Sequence, residues 1–599
     1  MNEIDRHLQT NINIQEKSNL IWNNAEILRG LYKPHEYGEV ILPMTVIKRF
    51  HDTLLPTLDQ VQETYEEYKT FEVVEPFLLD ATGGYSFYNT SKFTFASLLS
   101  DPEHIEENFR AYLNGFSENV QDVLEHFSFD VHISRLANND KLYYIIQEFN
   151  KPGAYMGADK ISSTDMGYIF EDLVRRFSES YNEEAGEHFT SRDIIYLMTD
   201  ILLAEDENML MDNGVVKTVY DQTMGTSQML SAMTERLQEF DRDAEVTTFG
   251  QEINPSTYAI AKADTMIRGG SPGNMKLGNT LTEDGFPGYT FDYCISNPPF
   301  GVDWNSSYKK VKAEHDEGEN GRFAPGLPRK SDGQLLFTLN ALNKLKDDGR
   351  MAIIHNGSAL FSGAAGSGES EIRRYVIEND WLDAIIQLPG DSFYNTGITT
   401  YIWIYSKDKP LHREGKVQLI DASEMYEKRR KSIGSKRVDI TEECREVIVQ
   451  AYGEFMNKEY ILEDRRVESK IMNNEDFGFY KVTVESPERD EEGNIVLKKG
   501  KPKADTALRD TEDIPLTEDI DTYFEREIKP FNQDAWIDKT KIKVGYEIPF
   551  TRLFYKYEMP KKSEDIAKRI SEIEARIVKS FEALSGEEVD VDDKQINER

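Results

Sequence analysis

The chain has 599 residues, 39% of them hydrophobic, and a formal net charge of −38. Its length exceeds a single ordinary core and predicts about two to four domains, and the lack of any run of about 18 apolar residues excludes a membrane-spanning helix. The acidic balance excludes a protein that grips nucleic acid through an overall basic field; such a partner requires a local basic cleft or a second protein that supplies the phosphate contacts. Only Cys294 and Cys444 are present, which excludes a disulfide framework or a Cys-rich zinc site and fits a reducing cytoplasm. Met1-Asn2-Glu3-Ile4-Asp5-Arg6 lacks the basic and apolar regions of a signal peptide.

Residues 1–150 read as a helical domain. Apolar residues recur at helical spacing through Leu20-Ile21-Trp22, Ile27-Leu28 and Val40-Ile41-Leu42, and again through Val120, Val123, Leu124 and Phe127. Further on the pattern changes. Strands are predicted at 215–220, at a segment ending in Glu252, and at 291–296, 351–355, 382–388 and 400–406, with helices at 256–267 and 333–346 between them. This alternation predicts an α/β domain over 151–465 with a doubly wound, Rossmann-like sheet. The polar stretch 303–331 is either a disordered surface loop or a loop that closes over substrate. Residues 466–540 are charged and predicted to be an irregular extension, with a turn at Glu491-Glu492-Gly493-Asn494. In the last segment, 541–599, Ile566, Ile570, Ile573, Ile577, Phe581 and Leu584 form one apolar stripe on a helix, packed either within the chain or against a partner helix. An acidic tail follows at 587–593.

Asn297-Pro298-Pro299-Phe300 directly follows the strand at 291–296. Two prolines end the ladder and stiffen the backbone at the carboxyl edge of the sheet, where open α/β sheets bind ligands. An amide, a rigid carbonyl and an aromatic ring there suit an amino group on a planar heterocycle. Upstream, Asp221-Gln222-Thr223-Met224-Gly225-Thr226-Ser227 follows a strand with an acid and a glycine turn, and a second strand ends in Glu252, whose carboxylate can accept from both hydroxyls of a ribose. Asn254-Pro255 then opens a helix. No complete Gly-x-Gly-x-x-Gly and no phosphate-loop motif is present, so S-adenosylmethionine fits better than NAD or ATP. Ahead of these, Gly186-Glu187-His188-Phe189-Thr190-Ser191-Arg192 begins a helix; Thr190 or Ser191 caps it, and Phe189 can lie against the cofactor.

These three segments in this order resemble the modification (methyltransferase) subunit of type I restriction–modification systems. The resemblance extends to Trp22-Asn23-Asn24-Ala25-Glu26-Ile27-Leu28-Arg29-Gly30, to Gly278-Asn279-Thr280-Leu281, to Lys330-Ser331-Asp332-Gly333, to Phe393-Tyr394-Asn395-Thr396-Gly397-Ile398 and to Gly545-Tyr546-Glu547-Ile548-Pro549-Phe550. One departure stands out. The family's glycine loop usually reads Asp-Pro-x-x-Gly-Ser/Thr-Gly/Ala-Gly, whereas Gln222, Ser227 and Gln228 replace the proline and the later small residues here. A Cβ at Ser227 crowds the backbone where the cofactor approaches, and Gln228 is expected to point outward from the start of its helix.

The resemblance implies an adenine-N6 DNA methyltransferase. Asn297, Pro298, Pro299 and Phe300 would be catalytic. Glu187, His188, Phe189, Thr190, Ser191, Arg192, Asp221, Gly225, Thr226, Ser227, Glu252 and Asn279 would hold S-adenosylmethionine. No metal is required, because the cofactor carries the reactive group. It further implies double-stranded DNA as substrate, a specificity subunit that reads sequence, a restriction subunit, and two modification subunits per specificity subunit. Two other readings stay open: a stand-alone amino-methyltransferase acting on DNA, RNA or protein, and a non-catalytic binding module whose altered glycine loop has lost the cofactor.

Overall fold

Eight strands build the centre of the fold in a computed structural model that describes residues 14–181, 190–205, 214–394, 396–555 and 562–585. They are β1 (Val216–Asp221), β2 (Glu245–Glu252), β3 (Met275–Leu277), β4 (Phe291–Ser296), β5 (Leu345–Asn356), β6 (Leu382–Gln387), β7 (Thr400–Ser406) and β8 (Lys416–Asp421). Their spatial order is β8-β6-β7-β5-β4-β1-β2-β3, and the strands Arg465–Asn473 and Lys458–Leu462 extend the edge at β8 into a ten-stranded sheet. The first five are mutually parallel, and β7 inserts antiparallel between β5 and β6. Strands covered on both faces read as continuous apolar runs. Accordingly Thr400–Ser406 (TYIWIYS) is buried throughout, and β4 runs Phe-Asp-Tyr-Cys-Ile-Ser until Pro298 and Pro299 remove the next donors.

The N-terminal helices do not form a separate core. Their cluster, centred on Val40, Ile41, Met44, Ile47 and Phe50 of helix Gly38–Leu54, also takes in Ala259, Ile260, Ala263 and Met266 of helix Pro255–Ile267, which follows β2. A buried ion pair lies within helix Gly38–Leu54 and ties it to the chain at 156: Lys48 Nζ lies 2.8 Å from Asp52 Oδ1, and Asp52 Oδ2 accepts from the backbone N–H of Met156 at 2.7 Å.

Two segments differ from expectation, 303–331 and 466–540, and a third, 427–439, carried none. The stretch 303–331 is packed, with helix Tyr308–Asp316 and fully buried Val311 and Phe323. Residues 427–439 form a two-stranded hairpin, Glu427–Ile433 with Lys436–Asp439. The region 466–540 is not irregular. It completes the strand Arg465–Asn473 and then supplies most of a second antiparallel sheet, in which Gly478–Glu485 pairs with Asp510–Pro515, Trp536–Ile537 and Lys543–Tyr546. Its own small core is Val482, Val484, Ile514 and Ala535. The sequence hides this sheet because Lys and Glu occupy its exposed face.

The described residues divide into two units at Pro549/Phe550. In the second, helix Ser563–Ser585 carries Ile566, Ile570, Ile573 and Ile577, each about half exposed. Phe581 and Leu584 belong to the same helix, but their side chains lie outside the described part. Among the described residues no helix is long and apolar enough to cross a membrane.

Asp52 generates a stability prediction. Asp52→Ala leaves a buried ammonium and a buried backbone donor unpaired, so urea unfolding is expected to show a loss of about 3–5 kcal/mol.

Candidate active site

From β1 the chain steps outward through β2 to β3, then returns to the other side of β1 as β4. The loops leaving β1 and β4 therefore diverge and open a crevice at their carboxyl ends, the usual ligand position in such sheets. The glycine loop (221–227) and the Asn-Pro-Pro-Phe turn face this crevice from neighbouring strands.

On the β1–β2 side two carboxylates converge. Asp221 is 1% exposed, and its Oδ1 accepts from Thr223 N–H at 3.0 Å. Burial, opposed by that hydrogen bond and reinforced by the charge of Glu252, raises its pKa from 3.8 to about 8. Glu252 is also pushed upward by burial, although its oxygens accept from the N–H groups of Gly225 (2.9 Å) and Asn254 (2.8 Å). Gly225 has φ +53°, and a Cβ there would point into open space. Asn254 caps the following helix through the N–H groups of Ser256 and Thr257. Thr226 and Ser227 are buried. Ser227 takes a left-handed conformation (φ 72°, ψ 21°), which costs a side-chain-bearing residue about 1–2 kcal/mol.

On the β4 side, Asn297 Nδ2 donates to Thr190 Oγ1 at 2.9 Å, which orients the carboxamide. Pro298 is buried, Pro299 half-buried, and Phe300 is 5% exposed within the sheet's apolar cluster. The Phe300 ring therefore presents little of its surface to the crevice. The turn is braced from below: Gly301 N–H donates to Asp332 Oδ1 at 3.2 Å, and Gln334 Nε2 donates to Asp332 Oδ2 at 2.8 Å. Gln334 Oε1 meets Nδ1 of the buried His355, whose Nε2 lies 2.8 Å from Thr338 Oγ1. Burial lowers the His355 pKa to about 3, keeping the ring neutral.

The departures in the glycine loop have structural consequences. Gln222, 1% exposed, donates from Nε2 to Ser296 Oγ (3.1 Å) and accepts at Oε1 from Asn340 Nδ2 (2.8 Å). It thereby ties the glycine loop to the residue before Asn297. Asn340 Oδ1 accepts from Arg322, which is also bound to Glu314 and to the carbonyl of Thr280. That network explains why the segment 303–331 is packed down. Gln228 does not point outward: it is 4% exposed and lies against Gly167, where a Cβ would fall 1.4 Å from Gln228 Nε2. Ser227 Oγ and both amide atoms of Gln228 have no hydrogen-bond partner among the described residues.

Other candidate residues sit as follows. Ser191 occupies the N-cap position of helix Arg192–Ala204 but makes no side-chain cap; its Oγ donates to Asp193 and accepts from Lys436 Nζ at 3.1 Å. Arg192 lies 3.7 Å from the Tyr168 ring centroid and pairs with Asp165. Asn279 Oδ1 accepts from Leu281 N–H, and its Nδ2 donates to Ser307 Oγ. Glu187, His188 and Phe189 lie outside the described residues. Sequence reading missed Gln222, Arg322, Asp332 and Gln334 as supports. The polar Lys330-Ser331-Asp332-Gly333 segment was noticed, but not its contact with Gly301.

The sheet order, the acidic β1–β2 edge and the Asn-Pro-Pro-Phe turn define the α/β methyltransferase class. Residues 162–491 match the N-6 DNA Methylase family and residues 17–149 the HsdM N-terminal domain. The chain belongs to the N-6 DNA methylase family, and its two matched domains, in this order, are those of a type I modification subunit. It is similar to the type I restriction enzyme MjaIX methylase subunit of Methanocaldococcus jannaschii, at 24% identity over 74% of this chain and 78% of that one. The MpnII methylase subunit of Mycoplasma pneumoniae is 26% identical over 48% of this chain and 52% of that one. A solved type I restriction-modification system methyltransferase subunit from Streptococcus thermophilus superposes with a TM-score of 0.61 at 25% identity, covering 78% of this chain and 97% of that one. The activity is methyl transfer to adenine N6 in DNA; the stand-alone and non-catalytic alternatives are not favoured.

Asp221 generates a pH prediction. Unfolded, it titrates near 3.8; folded, near 8. Its contribution to stability is fully present below pH 3.8 and is lost as pH rises through about 8, at up to about 1.4 kcal/mol per pH unit. Asp221→Asn keeps the Thr223 hydrogen bond without the charge. Thermal unfolding is expected to show the variant gaining on the wild type between about pH 4 and 8 and levelling off above that; parallel curves would remove Asp221 as the titrating group.

Proposed function

We propose that the Asn-Pro-Pro-Phe turn performs the transfer and that Asp221, Gly225, Thr226, Ser227 and Glu252 hold S-adenosylmethionine, with Thr190 and Ser191 closing the site. The residues fit that group. The open space above Gly225 admits a close ligand, and two buried, coupled carboxylates favour a ligand that brings positive charge and a pair of hydroxyls. When bound, S-adenosylmethionine supplies an electrophilic methyl on a sulfonium. Glu187, His188, Phe189, Arg192 and Asn279 complete the proposed set by resemblance alone.

The observation that carries this reading is the Asn297–Thr190 hydrogen bond. Adenine N6 is a weak nucleophile because its lone pair is delocalised into the ring. With Asn297 Nδ2 committed to Thr190, the carboxamide turns its oxygen toward an incoming amino group, and the Pro298 carbonyl supplies a second acceptor. Two acceptors aimed at the N6 hydrogens favour pyramidal nitrogen as charge develops. Braces from Asp332 and Gln222 hold that geometry in advance of substrate. Extrusion of the base from the duplex costs a few kcal/mol, and stacking on an outward-turned Phe300 returns about 1–3 kcal/mol.

The chain works as one part of an assembly with a specificity subunit that reads sequence and a restriction subunit, two modification subunits serving each specificity subunit. The exposed isoleucine stripe on Ser563–Ser585 supports a helical partner. The proposed limits are 1–150 for the helical domain and 151–465 for the methyltransferase domain, and the first shares its core with helix Pro255–Ile267 of the second.

In the assembled complex, Asn297→Ala is expected to lower single-turnover methylation by at least about a hundredfold, with S-adenosylmethionine and DNA still bound. A wild-type rate would move the catalytic centre elsewhere. Glu252→Ala is expected to weaken equilibrium binding of S-adenosylmethionine to the purified chain by tenfold or more, since charge-assisted hydrogen bonds are each worth about 1.5–3 kcal/mol. Unchanged affinity would displace the cofactor from β2.

A further inference from the structure

Beyond catalysis, the hairpin formed by Glu427–Ile433 and Lys436–Asp439 carries a concentration of cations. Residues 427–437 contain Lys428, Arg429, Arg430, Lys431, Lys436 and Arg437 against the single acid Glu427, in a protein with 108 acidic and 70 basic residues. Two of the six are used internally: Arg429 pairs with Asp439, and Lys436 pairs with Asp193 at 2.9 Å. Lys428, Arg430, Lys431 and Arg437 are exposed, and no carboxylate among the described residues pairs with them.

The hairpin is attached to the catalytic crevice. Lys436 Nζ, buried, donates to Ser191 Oγ (3.1 Å), to both Asp193 oxygens and to the Ser392 carbonyl (3.1 Å). Ser191 adjoins Thr190, the residue that orients Asn297. Backbone hydrogen bonds from Ser435 N–H to the Tyr394 carbonyl and from Arg437 N–H to the Asp391 carbonyl fix the return strand to the loop between β6 and β7. A run of like charge is ordinarily a solvated face. Here, however, one cation of the run is spent anchoring the element beside the active site, while four others remain exposed around it.

We propose that this hairpin is a phosphate-contacting finger, which grips the backbone of the DNA strand presented to the Asn-Pro-Pro-Phe turn. The inference rests on the reading of the chain as a DNA methyltransferase. In a molecule of charge −38, DNA approaching the crevice meets general repulsion. Four unpaired cations at the rim offset it locally and release condensed counterions on contact. The contacts carry no sequence information, so they set affinity and residence at the site and leave recognition to a partner.

The test uses the complex with its specificity subunit, comparing wild type with Lys428→Ala/Arg430→Ala/Lys431→Ala/Arg437→Ala. DNA affinity is measured across a salt series. Each lost phosphate contact flattens the log–log salt dependence by about 0.9, so a decrease of about 2–4 in slope is expected. At fixed salt, KM for DNA is expected to rise at least tenfold while kcat at saturating DNA stays within twofold. Affinity for S-adenosylmethionine and assembly with the specificity subunit are expected to be unchanged. An unaltered salt slope overturns the proposal, as does weakened subunit assembly with intact DNA binding, which would make the finger a protein contact. Should the fourfold variant not fold, Arg430→Glu alone carries the test, with a slope change of at least about 1. A wild-type complex that binds DNA but transfers no methyl would sink the catalytic reading and leave the salt comparison standing.

Discussion

Strands β1 and β4 lie side by side, yet the chain leaves them toward opposite halves of the sheet, and the gap this opens is the constraint on which the other features depend. It forces the glycine loop and the Asn-Pro-Pro-Phe turn to be neighbours in space though about seventy residues apart in sequence. A divergent pair of loops is also mechanically weak, since no backbone ladder joins them. Side chains do that work here: Gln222 to Ser296 across the gap, Asn297 to Thr190 over it, and Asp332 to Gly301 beneath the turn.

Much of this could be read from the residues, and the failures have physical causes. Strand β4 matches expectation at both ends because an apolar run meets two prolines. β7 matches because it is buried on both faces. The strands before Asp221 and up to Glu252 were also legible, and both acids stand at strand ends. What escaped were elements whose stability is non-local. The second sheet pairs Gly478–Glu485 with strands up to about seventy residues away, and its exposed face is charged. In 303–331 the order depends on one arginine reaching Glu314, Thr280 and Asn340. Gln228 was expected outside because a polar side chain at a helix start ordinarily faces water, and nothing local reveals that Gly167 leaves it a place inside.

The distribution of charge reconciles an acidic protein with an anionic substrate. Acids are spread over the surface, two are buried at the carboxyl ends of β1 and β2, and exposed cations gather on the hairpin at 427–439. A uniformly basic protein would bind DNA anywhere; this arrangement lowers binding everywhere except near the chemistry.

The contact between Gly167 and Gln228 also constrains how the chain can change over evolutionary time. The glutamine occupies the volume that any side chain at 167 would need, so the two positions are not independent mutational targets. An alanine at 167 requires the Gln228 amide to move aside and is accommodated directly once a glycine stands at 228. The reverse order passes through an overpacked intermediate. A lineage carrying this glutamine therefore keeps its glycine at 167 most easily until position 228 has changed, so the order of the two steps matters.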